Sequence, residues 1–206
     1  LLLAFDAVVG EREKGTLLLL LAYPVSRTQI VLGKFTGHVA ILLIATVVGY
    51  GIAGAAVAWR EGGAETEAIL AFASLVGSSV LLGAAFAAVG LLVSVVVRAR
   101  GTAAALAVAI WLLLVLLYDL AILGLLVADK GRAVSPGLLG GLLLLNPADA
   151  FRLLNLTGFQ GTRVLSGMAG LAEDVRLPPW ALLAGLAAWV AVPLSLAVLV
   201  FRRREP

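Results

Sequence analysis

Cysteine is absent from this chain of 206 residues, and histidine and methionine occur once each. It therefore holds no disulfide framework, thiolate metal site or cysteine nucleophile. Soft-metal ligation within the chain is all but excluded, because it needs several sulfur or imidazole donors converging on one point. Charge is scarce too: 13% of residues are charged, against about a quarter in soluble domains. The formal net charge of +3 comes from cations that flank hydrophobic runs rather than forming a basic patch, so it does not point to nucleic acid.

What fills the chain is apolar. Hydrophobic residues make up 62% and the mean hydropathy is +1.11. Several runs reach the length needed to cross a bilayer, about 20 residues. They are rich in Leu, Ala and Val without the period-two alternation of a membrane barrel strand. The expected fold is all-α, a polytopic bundle of membrane helices. Four complete spans are predicted, over 27–59, 68–97, 102–127 and 180–201. Residues 1–10 read as the end of a preceding span, 11–26 as a connecting elbow, and 128–179 as a longer connection.

The elbow interrupts this pattern most sharply. Glu11-Arg12-Glu13-Lys14-Gly15-Thr16 is a charged turn, and Leu17–Ala22 is an apolar helix too short to span. Thr16 is a candidate N-cap for that helix, and Pro24 ends it. Ser26-Arg27-Thr28-Gln29 fits a capping box, with Ser26 as N-cap and Gln29 three residues on, so the first span should start at Arg27.

Orientation follows from the cations of the short loops. Arg12, Lys14, Arg27, Lys34, Arg98, Arg100, Arg202, Arg203 and Arg204 cluster at span ends on one side. Arg60, Lys130, Arg132, Arg152, Arg163 and Arg176 lie on the other, mixed with acids and mostly in a long connection. The elbow, the 98–101 turn and the C-terminus are therefore expected to face the cytoplasm. In the long connection, Ser135–Leu145 is apolar but short and broken by glycine, which suits an interfacial or re-entrant segment. Asn146-Pro147-Ala148-Asp149 reads as a helix start, with Asn146 capping, Pro147 first in the helix and Asp149 near the positive dipole end.

Asp119, beside Tyr118, is the one carboxylate well inside a complete span. Such a residue is a functional candidate by default, but a hydrogen bond to Tyr118 or to a neighbouring helix is the favoured explanation. His38 and Met168 read as packing residues. Gly33-Lys34-Phe35-Thr36-Gly37 and the small-residue runs read as close helix packing. Gly77-Ser78-Ser79 with His38 is not a hydrolase pair, because the topology puts serines and histidine in opposite halves of the membrane.

The elbow, from Glu11-Arg12-Glu13-Lys14-Gly15-Thr16-Leu17 through Tyr23-Pro24-Val25-Ser26-Arg27 to Leu32-Gly33-Lys34, resembles the second cytoplasmic segment of ABC-2-type (type V exporter-like) permeases. There it forms the coupling helix, which implies contact with an ATPase through Glu11, Arg12, Glu13, Gly15, Thr16, Leu17, Leu18, Pro24, Ser26 and Arg27. Leu144–Leu156 and Ser166–Leu171 are similar to the permeases that serve maturation of the copper enzyme nitrous oxide reductase. That resemblance implies a non-enzymatic permease homodimer in the bacterial inner membrane. A cytoplasmic ATPase would carry ATP and Mg, this chain holding no cofactor, and a periplasmic β-helical subunit would dock on Asn146, Pro147, Asp149, Phe151 and Arg152. No Gly-x-x-x-x-Gly-Lys-Ser/Thr is present, so the ATP site is expected on a separate chain. The alternatives are an ABC-2 exporter of a lipid or glycan, and a scaffold for periplasmic assembly factors.

Overall fold

The computed structural model describes residues 1–61, 66–129, 135–158 and 177–203. Among them every regular element is helical: α1 (Val9–Glu13), α2 (Thr16–Ala22), α3 (Arg27–Glu61), α4 (Thr66–Val96), α5 (Arg100–Leu112), a π turn (Leu113–Leu117), α6 (Tyr118–Asp129), α7 (Pro136–Leu144), α8 (Pro147–Gly158) and α9 (Pro179–Arg203). Four helices are long and apolar enough to span: Arg27–Arg60, Ala68–Val96, Arg100–Ala128 and Pro179–Arg203. Among the described residues the expected all-α fold with four candidate spans is what forms. The most apolar stretch of the first is wholly unburied, whereas half that of the second is buried.

Local signals account for several of the helix ends. The Ser26 N–H donates to Gln29 Oε1 at 2.8 Å and the Gln29 N–H to Ser26 Oγ at 3.2 Å, so the capping box closes in both directions and α3 starts at Arg27. Tyr23 is extended, the conformation a residue before proline prefers. Thr16 is not the cap of α2. Gly15 is, at φ +73, because a left-handed residue is needed to turn the chain out of α1 and glycine adopts it without a Cβ penalty. The expected helical tail over 1–10 is helical only from Val9. The Val8 and Val9 N–H groups leave the helical ladder and donate instead to Ser94 Oγ, at 2.9 and 3.0 Å.

The described residues form two compact units. The first takes Leu1–Leu42, Gly83–Leu113 and Ala188–Pro206. Its core joins Val8, Leu17, Ile30, Val31, Leu91, Val95, Ala197 and Phe201, with Val9, Val93 and Ala103 beside them. The second takes Leu43–Leu82 and Leu114–Ala187. Its core joins Ile122, Leu139, Leu143, Ala150, Leu153, Leu182 and Leu186.

Within the second unit α7 and α8 form a bent pair, turning by 117°. Ser135 Oγ caps α7 by accepting the Leu138 N–H. At the bend Pro147 offers no N–H to continue the ladder, and Asn146 Oδ1 accepts the Ala148 N–H at 3.0 Å. The sequence reading of Asn146 as a cap with Pro147 first in the helix therefore holds.

Candidate functional site

The elbow is built on α1. Its charged side chains, which looked on sequence like contacts for a partner, are spent largely within the first unit. Glu11 Oε1 accepts from Lys34 Nζ on α3 at 2.5 Å. Arg12 Nη1 donates to the Val97 carbonyl at 3.1 Å, just past α4, where helix-end carbonyls have no partner in their own helix. Glu13 Oε1 accepts the Arg100 N–H at 2.6 Å. The residue that precedes α5, Ala99, supplies no side-chain cap, so Glu13 caps that helix from 87 residues away. A carboxylate there also meets the positive end of the helix dipole. Asp6 Oδ2 holds the Arg100 guanidinium at 2.9 Å. Arg27 closes the set, donating from Nη1 to the Phe201 carbonyl near the end of α9 at 3.2 Å.

On this charged base sits α2, seven residues of almost pure leucine. Leu17 is buried, with 3% of its surface exposed, and Leu20 and Leu21 pack against the same core. Those positions follow the i, i+3, i+4 spacing of one helical face. Leu18, Leu19 and Tyr23 point away, at 61%, 67% and 70% exposure. The coupling candidates therefore divide. Leu17 belongs to the core and is unavailable to a partner. Leu18, with Leu19 and Tyr23, forms an exposed apolar patch, and Pro24 and Ser26 lie exposed beside it. Gly15 supplies the turn, and Thr16 Oγ1 donates to the Glu11 carbonyl at 3.3 Å, pinning the start of α2 to α1.

The second unit carries the other cluster. Arg152 Nη1 pairs with Asp119 Oδ2 and also with Asp149 Oδ1, the latter at 3.0 Å. Asn146 Nδ2 donates to Asp149 Oδ2 at 2.8 Å and to the Leu114 carbonyl at 2.7 Å. Leu114 lies in the π turn, and such turns displace carbonyls from the ordinary ladder. Tyr118 does not bond Asp119; its hydroxyl donates to the Leu142 carbonyl of α7 at 2.6 Å. Ser78 on α4 and Asn155 on α8 exchange hydrogen bonds at 3.1–3.2 Å. The bent pair is thus stitched to the helix carrying Asp119, and the expectation that Asp119 bonds a neighbouring helix is met through Arg152.

This arrangement corrects three of the five docking candidates and leaves Phe151 and Arg152 partly exposed. Asn146, Pro147 and Asp149 are buried and face the interior of the second unit, so a partner cannot reach them. Phe151 packs against the core of the same unit, and Arg152 is held by two carboxylates. The Ser166–Leu171 run and Met168 lie outside the described residues. Sequence reading also missed Asp6, Ser94 and Arg100 as partners of the elbow. Nothing in local spacing marks contacts made across 85–87 residues.

Residues 1–205 match the family described as ABC-2 family transporter protein. The chain is 47% identical over 205 residues to the probable ABC transporter permease protein NosY of Stutzerimonas stutzeri. It is 46% identical over 205 residues to the protein of that name from Pseudomonas aeruginosa. Each alignment covers 99% of this chain and 74% of the relative. With four apolar helices and a folded elbow between its first described turns and its first complete span, the chain belongs to the ABC-2 transporter family and is a membrane permease similar to NosY.

Proposed function

We propose that this permease couples a separate cytoplasmic ATPase to work across the inner membrane, in a system that matures the copper–sulfide centre of nitrous oxide reductase. The observation that carries the coupling is the exposed Leu18, Leu19 and Tyr23 face of α2, mounted on a charged base whose bonds run to α3, α4 and α5. An exposed apolar patch on a helix too short to span is what a partner groove accepts. The cation distribution favours a cytoplasmic elbow and C-terminus. The similarity to proteins named NosY and the resemblance at Leu144–Leu156 support the maturation role. They also support a permease homodimer and a periplasmic β-helical subunit. The unburied apolar stretch of α3 suits contact with lipid and with a second permease copy. ATP and Mg would be held by the ATPase. With one histidine, one methionine and no cysteine, a copper conduit through this chain lacks donors, which favours transmitted mechanical work or a cargo other than copper.

The test uses the full-length permease co-expressed with its ATPase and purified in detergent. Leu18→Asp with Leu19→Asp should lower ATPase recovery at least tenfold while the permease keeps its melting temperature. Undiminished recovery of the ATPase on that double variant would sink the coupling reading.

A further inference from the structure

Glu11, Arg12 and Glu13 carry the charge of the elbow and were expected to contact the partner directly. Their geometry is different. Each spends a charged atom on a different helix of the same unit: Glu11 on the Lys34 side chain, eight residues into α3, Arg12 on the carbonyl that follows α4, and Glu13 on the first N–H of α5. Ser94 of α4 caps the start of α1 in return, accepting both the Val8 and Val9 N–H groups from a fully buried position. A second bond fixes the α5 start, from Arg100 to Asp6. Three such bonds converge on one five-residue helix.

We propose that Glu11, Arg12 and Glu13 are internal joints of the permease. They clamp α1 to the third turn of α3 and to the ends of α4 and α5, so that a displacement imposed on α2 moves these helices as one piece. They are positioning residues, and the partner is met by the apolar face of α2. The proposal deepens the coupling reading and rests on it. Gly10 fits the same design. A Cβ there would lie 2.3 Å from Asp6 Oδ1, so a side chain at that position would push aside the carboxylate that holds Arg100.

The joint and the contact differ in what they require of Glu13. A joint needs only an acceptor oxygen facing the Arg100 N–H, which glutamine also offers. A charge contact with the partner needs the negative charge. In the full-length permease assembled with its ATPase, Glu13→Ala is expected to keep ATPase recovery within twofold of wild type. It should lower permease-dependent stimulation of ATP hydrolysis about tenfold, and Glu13→Gln should restore it to within twofold. Glu11→Lys should uncouple in the same way, and Glu11→Lys with Lys34→Glu should recover at least half of the stimulation.

Loss of ATPase recovery in both Glu13→Ala and Glu13→Gln would overturn the joint and make Glu13 a contact residue. Full stimulation in Glu13→Ala would overturn it as well. Should Glu13→Ala fail to fold, the Glu11–Lys34 exchange decides alone, and failure of the paired exchange to recover what the single change lost counts against the joint. The Leu18→Asp, Leu19→Asp variant separates the two readings. If it leaves association intact, docking on α2 fails, whereas the Glu13 and Glu11 variants report on the joints.

Discussion

The elbow and the bent pair of helices are both polar clusters in an apolar protein, yet they are finished in opposite ways. In the elbow, charged side chains complete the unpaired ends of other helices, and an apolar surface is left outside at Leu18, Leu19 and Tyr23. In the bent pair the polar groups bond chiefly one another, and Asp119 Oδ1 is the cluster's buried oxygen without a partner among the described residues. Arg152 lies between Asp119 and Asp149, Asn146 bridges Asp149 to the π turn, and Asn146 and Asp149 are 0% and 3% exposed. One cluster presents a surface and the other closes on itself. Number of charges does not separate a contact site from a lock; what remains unsatisfied at the surface does.

That contrast can be broken by experiment, and the largest effect is expected at Arg152. Arg152→Ala leaves two carboxylates without their shared cation, and stranding the buried Asp149 carboxylate is costly. Because the guanidinium is partly exposed, a loss of about 2–3 kcal/mol is expected, read as a lower melting temperature in detergent. Asp119→Asn added to it should recover part of the loss by removing one of the stranded charges. ATPase recovery should be unchanged in both. If Arg152→Ala left the melting temperature alone, the cluster would be no lock, and Arg152 would return as a docking candidate.

A smaller effect is expected from Ser94→Ala, which strands the Val8 and Val9 N–H groups in a buried site. An unsatisfied buried donor costs about 1–3 kcal/mol, so a loss of about 2 kcal/mol should appear in thermal unfolding. Faster hydrogen exchange at the α1 amides should accompany it, with the bent pair unaffected. Exchange that quickened equally in both clusters would show that they are not independently held.

The smallest effect is at Gly15. No atom lies within 4 Å of a Cβ built there, and its φ is +73, so Gly15→Ala adds only backbone strain, about 1–2 kcal/mol. Its sharper consequence is a shift in the exit angle of α2, expected as weaker ATPase binding out of proportion to the change in melting temperature. A variant with wild-type binding would show that the elbow tolerates reorientation.

Much of this was readable because it is local. Ser26 and Gln29 are three residues apart, Asn146 and Ala148 two, and Pro24 acts on the residue before it, so these helix boundaries follow from steric and hydrogen-bonding rules within one turn. The division of α2 was not readable. Its leucines are chemically alike, and which of them face inward depends on where the rest of the first unit lies. For the same reason Leu17 looked like a partner contact and Glu13 looked free.

The sequence by itself determined the class of protein: long apolar runs force backbone polar groups to pair within helices in a bilayer, and scarce soft donors leave little metal chemistry to this chain. Only the tertiary structure decided which charges are exposed. Every helix has unpaired ends, and at two of them the completing groups, Glu13 for α5 and Ser94 for α1, come from 85–87 residues away. Packing alone brings such groups within hydrogen-bond reach.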